Sequence, residues 1–504
     1  MNNNKKINFF TTYKKWIVVV LLVLIMLVGF YIRAYGVFSN SFAFTYDVGR
    51  DMLKVQEIVV DHKIPLIGQT TGLSGLFYGP WWYYILTPAF ILSRGNPQGV
   101  AFFMVFCGMV VIVIGYRVGK KISGSMLGVV FASLLSVSTV MSSLSNQIWN
   151  PNIAPIFILF LILLLIILEK TKKRFIAFLG VGILLGLLID TEILFGVLFT
   201  IGTLFYILLT QRKKLLSVSV AGVPLGLLVI FLPRILFEIR HQFIMTNTLL
   251  HPASDKEAFI NINGLLLDVP QRCLIIFNQF SETTARDNSY FGFLVLSSSV
   301  VLLFVLRKKL NSFSRRILLF IGIVLITFVF GTSVFARAIW GHYLVGLPVL
   351  YLLLVSLSLM VFIRRAFYTG IIVFVVYAIF ILNPYKYYND AVNPLWEGNA
   401  SVYRNQVAII DYIYKNSHGR QFNEIVYTPT VHDYPYQYLF SWYGKAKYGY
   451  TPSTKTQHLL YVVIEDDPGY EGRITDWLKI REGDGKIEEE RVVKGGIRVQ
   501  RRSR

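Results

Sequence analysis

The sequence predicts an all-α polytopic membrane bundle of about eleven transmembrane helices, followed by a small α/β domain on the extracytoplasmic side. Three observations predict it. Only 15% of the 504 residues are charged, against about 25% in a typical soluble protein. Long stretches such as 16–32 and 153–168 carry no charge at all. Basic residues collect in short breaks between alternate apolar runs, as the positive-inside rule requires.

The net charge of +21 is therefore a topology signal. Lys5, Lys6, Lys14, Lys15, Arg117, Lys120, Lys121, Lys170, Lys172, Lys173, Arg174, Arg212, Lys213, Lys214, Arg307, Lys308, Lys309, Arg315, Arg316, Arg364 and Arg365 lie in these breaks with a single acid, Glu169. The rest of the chain is nearly balanced, with 28 basic and 27 acidic residues. A nucleic-acid footprint would place the excess on one face of a soluble domain, so no nucleic-acid partner is expected. Two cysteines, Cys107 and Cys273, build no disulfide framework. The first apolar run lacks a small-residue cleavage site and reads as a retained span.

The predicted spans are 16–35, 98–119, 124–144, 151–168, 175–190, 193–210, 215–236, 291–306, 317–335, 343–362 and 367–383. Basic clusters flank 175–190 and 193–210 on one side, so the chain must reverse at Asp190, Thr191 and Glu192. The N-terminus is predicted cytoplasmic, which puts residues 36–97, 237–290 and 384–504 outside. Within the first outer loop, 79–93 is too short and proline-broken to span and reads as an interfacial or re-entrant helix; 48–62 reads as an amphipathic helix on the membrane. Composition changes at Asn383-Pro384, dividing a membrane domain, 1–383, from a soluble domain, 384–504. In the latter, 401–416 and 473–479 read as helices, and 423–428, 459–464 and 491–500 as strands.

Polar residues inside or beside spans mark functional sites by default. Here they gather at the predicted outer ends. The first loop supplies Tyr46, Asp47, Arg50, Asp51, Lys54, Lys63 and Tyr84; the next outer turn supplies Asn146, Gln147, Trp149, Asn150 and Asn152. Asp190 and Glu192 follow, then Arg234, Glu238, Arg240 and His241, then Arg337 and His342. Five groups at one membrane level predict one outward-facing cavity. Lys63, Arg234, Arg240 and Arg337 are candidates for holding a phosphate. Tyr46, Tyr84, Asn146, Trp149, Asn150, Asp190, Glu192, Glu238, His241 and His342 are candidates for the cavity wall.

Residues 44–54 (FTYDVGRDMLK), 79–90 (GPWWYYILTPAF), 146–151 (NQIWNP) and 233–243 (PRILFEIRHQF) resemble bacterial glycosyltransferases of the GT-C superfamily. The resemblance is to the branch holding protein O-mannosyltransferases and lipid A aminoarabinose transferases. It implies a GT-C-like membrane fold and inverting transfer of a sugar from a polyprenyl-phosphate donor to a lipid, glycan or protein acceptor at the outer face. It implies an acidic first-loop residue as catalytic base, for which Asp47 fits best and Asp51 is the alternate. Many relatives carry an adjacent Asp-Glu pair, where this chain has Asp47-Val48. No cofactor is implied with certainty. A divalent metal is compatible with the family, whose members differ in metal use, though no Cys/His ligand pattern occurs here.

Each residue has a plainer reading. Asp47 and Asp51 would cap the following helix. Lys54 and Lys63 would anchor it to anionic membrane lipids. Asp190 and Glu192 would be a wet hairpin tip. Arg234, Glu238, Arg240 and His241 would be an interfacial anchor, as would Arg337, with His342 a hydrogen-bonded turn residue. Asn150-Pro151 would merely start a span. Two other functions compete: a transporter or flippase of a lipid-linked precursor, which would favour internal pseudo-symmetry and broken midplane helices, and a non-catalytic scaffold or sensor, which would not need the acidic loop.

Overall fold

The computed structural model describes residues 2–169, 171–211, 217–250, 267–386, 398–430 and 432–504, and the side chains of these from residue 15 onward. Lys170, Arg212, Lys213 and Lys214 thus lie outside the described residues, as do the side chains of Lys5, Lys6 and Lys14. Among the described residues nine helices are long and apolar enough to cross a membrane: Lys15–Phe38, Pro97–Ser123, Asn150–Leu168, Arg174–Thr191, Ile193–Thr210, Val218–Arg240, Ser312–Ser333, Leu347–Arg365 and Phe367–Lys386. A bent pair, Val269–Ala285 and Ser289–Val305, which turns by 90°, is either a broken tenth span or a re-entrant loop.

The predicted span 124–144 is instead a helix of 13 residues, Ser125–Val137, and a separate five-residue helix, Thr139–Ser143. Ser138 breaks it. Its backbone is extended, and its hydroxyl accepts from the Met141 N–H as a new N-cap. The break frees carbonyls that no water would satisfy within a membrane. Arg33, fully buried on the first helix, donates to the carbonyls of Leu135 (2.8 Å) and Ser136 (2.9 Å).

The second correction concerns 237–290, read as an outer loop. Residues Val269–Ala285 form a helix, and its left-handed end at Arg286 and Asp287 makes the sharp bend into Ser289–Val305. Gln279 on this helix donates to the Leu344 carbonyl and accepts from the Tyr351 hydroxyl. Leu347–Arg365 is buried on nearly all sides, whereas Lys15–Phe38, Val218–Arg240 and Phe367–Lys386 expose most of their apolar side chains, as lipid-facing helices do.

The chain reverses at Glu192, whose backbone is extended between Arg174–Thr191 and Ile193–Thr210. The first loop holds a helix at Tyr46–Val60 and a 12-residue helix at Trp81–Leu92. The C-terminal part carries helices Tyr403–Ser417 and Glu471–Ile480 and a mixed sheet. Its strands are β1 (Asn423–Tyr427), β2 (Leu459–Ile464), β3 (Lys486–Val492) and β4 (Arg498–Ser503), in the order β1-β2-β4-β3. β1 and β2 are parallel and the other pairs antiparallel. The predicted strand 491–500 is in fact the hairpin β3–β4.

This domain docks on the first loop through the backbone. Phe44 N–H donates to the Ser401 carbonyl (2.8 Å) and Tyr403 N–H to the Phe42 carbonyl (3.1 Å). The indole of Trp442 donates to the Arg94 carbonyl. Helix Tyr46–Val60 lies so close to residues 434–435 that a Cβ on Gly49 would sit 2.3 Å from the Pro435 nitrogen, a separation only glycine permits.

Candidate active site

Asp47 stands in the first turn of helix Tyr46–Val60. One turn on, Arg50 reaches back to it, with Nη1 2.9 Å from Asp47 Oδ1. The same guanidinium holds Asp51 through Nε (3.0 Å) and Nη2 (2.8 Å). The two carboxylates differ sharply in surroundings. The Asp47 side chain is 36% exposed and that of Asp51 is wholly buried. Trp82, from helix Trp81–Leu92, donates its indole N–H to Asp51 Oδ2 at 2.8 Å. Burial raises the Asp51 carboxyl to about 6, with Arg50 pulling the other way.

A folded-state value raised above 3.8 means that the folded protein holds the Asp51 proton more tightly than the unfolded chain. This contribution to stability is full below that value and is lost as pH rises towards about 6. Asp51→Asn is therefore expected to remove a decline in stability across that interval. Thermal unfolding of both proteins at stepped pH reads it; parallel pH profiles would refute it.

Asp47 lines a cavity of about 330 Å³ between the membrane bundle and the C-terminal domain, within the roughly 300–1,000 Å³ of ligand pockets. Its floor carries Tyr46, Asp47, Gln147 and Trp149; its roof carries Gln406, Thr428, His432 and Glu465. A second cavity, about 360 Å³, lies beyond Gln147 and Trp149, which line both, and is bounded by Gln279, Glu282, Trp340 and His342. The Trp149 and His342 rings meet edge to face at 5.3 Å. Burial lowers the His342 pKa, and the nearby Asp47 charge opposes the shift.

The hairpin tip joins the same region. Glu192 accepts the Tyr78 hydroxyl proton at 2.9 Å. Asp190 accepts from the Trp81 backbone N–H (3.3 Å) and pairs with Arg234 at 2.9 Å. Asn150 donates to the Thr191 carbonyl. Asp190, read from sequence as a candidate wall residue, thus ties the hairpin to the first loop. Arg234, read as a phosphate ligand, has its charge committed to Asp190. Arg337 lies near enough to Tyr343 to act on its hydroxyl, as does Glu192.

Other candidates stand apart from both cavities. Glu238 accepts the backbone N–H groups of Met245 and Thr246 and the Thr246 hydroxyl. His241 stacks on Phe237, and Arg240 is exposed. Lys63 is 66% exposed beside Asp61. The Tyr84 hydroxyl donates to the Pro65 carbonyl. Asn146 is half-buried beside Gln147. Sequence reasoning missed the roof altogether. It also missed Trp82 as a ligand of Asp51 and the clamp role of Arg50, which the spacing of Asp47, Arg50 and Asp51 within one helical turn signals. Among the described residues no three His, Cys, Asp or Glu side chains are grouped as a metal site.

Residues 78–237, which hold Tyr78, Trp82, Trp149, Asp190, Glu192 and Arg234, match the family described as Dolichyl-phosphate-mannose-protein mannosyltransferase. This stretch of a multi-span membrane chain is thus similar to a mannosyltransferase family. Its fold is similar to that of ArnT from Cupriavidus metallidurans bound to undecaprenyl phosphate, with a TM-score of 0.61 at 13% identity over 97% of this chain and 98% of the other. The apo state of the same protein gives a TM-score of 0.60 at 12% identity, with the same coverage. The apo oligosaccharyltransferase of Archaeoglobus fulgidus gives 0.50 at 12% identity, over 87% of this chain and 65% of that one. At these identities the likeness is one of fold. The sequence has no match among curated proteins. The fold shared with these structures accounts for the arrangement of bundle and capping domain.

Proposed function

We propose that this protein transfers a sugar from a polyprenyl-phosphate donor to an acceptor at the outer face of the cytoplasmic membrane, with inversion and with Asp47 as the base. The observation that carries this reading is a half-exposed carboxylate, clamped by one arginine, at the wall of a cavity between bundle and cap. Asp47 takes the proton from the acceptor hydroxyl or amine. The new bond forms at the anomeric carbon as the carbon–oxygen bond to phosphate breaks, and polyprenyl phosphate leaves with the electron pair. Positive charge is needed at that phosphate, and Arg337, whose charge acts on Tyr343, is the cation assigned to it, while Arg234 pairs with Asp190. Asp51, buried behind Arg50, positions the clamp.

The proposed sidedness has structural support. The basic breaks converge: Arg364 donates to the Ser123 carbonyl, Asn311 to the Ile122 carbonyl, and Arg316 pairs with Glu169. Pro97–Ser123, 27 residues long and so about 40 Å, separates that end from the Arg94 and Gly95 carbonyls that meet the cap. The basic end would face the cytosol and the cavity the opposite compartment.

The test compares glycolipids and surface glycans between a deletion strain and the same strain carrying the gene. Loss of one glycan with accumulation of its polyprenyl-phosphate donor is expected. Identical glycan and donor pools would overturn the reading.

A further inference from the structure

The roof of the cavity carries its own recognition chemistry. Gln406, on helix Tyr403–Ser417, is 1% exposed and lines the cavity, and its Oε1 has no hydrogen-bond partner among the described residues. A buried acceptor left unmatched is costly, so such a group in a cavity wall points to a donor arriving with the ligand. Beside it, Glu465 at the end of β2 is 4% exposed. One oxygen, Oε1, takes the Tyr436 hydroxyl proton (2.8 Å) and faces Gln406 Nε2 at 3.4 Å. Burial raises this carboxyl. The Thr428 and Thr430 hydroxyls complete the polar wall.

Opposite them, Tyr46 and Trp149 offer aromatic surface. Among the described residues the lining includes two carboxylates, Asp47 and Glu465, and one imidazole, His432, and neither a lysine nor an arginine. A wall of acceptors, hydroxyls and aromatic rings without a lysine or arginine disfavours phosphate or carboxylate groups and suits an uncharged molecule rich in O–H donors.

We propose that the Gln406–Glu465 roof selects a neutral saccharide as the acceptor, which makes Gln406 and Glu465 specificity-determining residues. This rests on the transfer reading above and extends it to the acceptor's class. The saccharide donates O–H protons to Gln406 Oε1 and the Glu465 carboxylate while another of its hydroxyls meets Asp47.

The test is thermal unfolding of the full-length protein in detergent with methyl glucoside or N-acetylglucosamine, against glucose 6-phosphate and a serine-rich peptide. Neutral saccharides should protect the wild type, and glucose 6-phosphate and the peptide should not. Gln406→Leu and Glu465→Gln should each weaken that protection about tenfold. Without ligand, Gln406→Leu should unfold at or above the wild-type temperature, because it removes an unmatched buried amide; a merely structural glutamine would not combine the two results. Protection by the peptide or by glucose 6-phosphate, equal protection of wild type and variants, or no saccharide protection would each overturn the proposal. Donor consumption, measured on the same preparation, separates the two readings. Consumption without saccharide protection sinks the acceptor class alone. Protection without consumption sinks the transfer reading and leaves a saccharide site.

Discussion

Asp47→Asn is expected to lower sugar transfer about 10²–10⁴-fold, the usual contribution of a positioned proton acceptor, with no loss of folded protein. The expectation follows from how one guanidinium is shared. Asp51 takes two of the Arg50 nitrogens, at 3.0 and 2.8 Å, and Asp47 takes the third at 2.9 Å. Two carboxylates and one cation leave the group with net negative charge, and only Asp47 presents any of it to the cavity. Asparagine keeps an oxygen for Arg50 but accepts no proton at neutral pH. Asp51→Asn should act differently. It loosens Arg50 from below, so the rate should fall less and the melting temperature should change. Donor consumption and unfolding of both variants, measured side by side, decide the matter. An Asp47→Asn protein that consumes donor at the wild-type rate removes the assigned base.

Asp47 could be singled out in the sequence because a short acidic motif just after an apolar run is a local signal; the structure puts it at a cavity wall, and its role as base is the proposal above. The membrane architecture was legible for the same reason, since lipid forces each spanning segment to declare itself by composition. The features that escaped depend on distant partners. Ser138 in an apolar run carries no sign of a break, because the Arg33 that donates to the freed carbonyls lies 103 residues before Ser136. β3, with its run of glutamates, is a charged edge strand that periodicity does not flag. The roof is formed by Gln406, Thr428 and Glu465, which three different segments of the cap bring over the first loop. Arg234 and Arg240 looked alike in sequence, but six residues turn a helix through about 240° relative to the starting face. Arg234 therefore meets Asp190, and Arg240 faces outward.

Arg234 then becomes the most sensitive structural position near the site. Asp190 ends a helix, where the dipole disfavours a negative charge. It is held instead by three outside groups: the Trp81 N–H, the close backbone at Gly79, and Arg234 at 2.9 Å. The approach at Gly79 is so near that a Cβ there would come within 1.7 Å of Asp190 Oδ1. Both charged side chains are mostly buried, at 2% and 12% exposure. Removing one partner of such a pair leaves the other buried alone, which costs about 3–5 kcal/mol. Arg234→Met is thus expected to lower the unfolding temperature markedly in detergent. Asp190→Asn with Arg234→Met should recover much of the loss, since no isolated charge then remains, and Gly79→Ala should be destabilising in its own right. A phosphate-binding arginine predicts the reverse: Arg234→Met would unfold like the wild type and raise the donor KM. Measuring unfolding and donor KM on the single and double variants separates the two, and an unchanged unfolding temperature in Arg234→Met would return Arg234 to the donor phosphate.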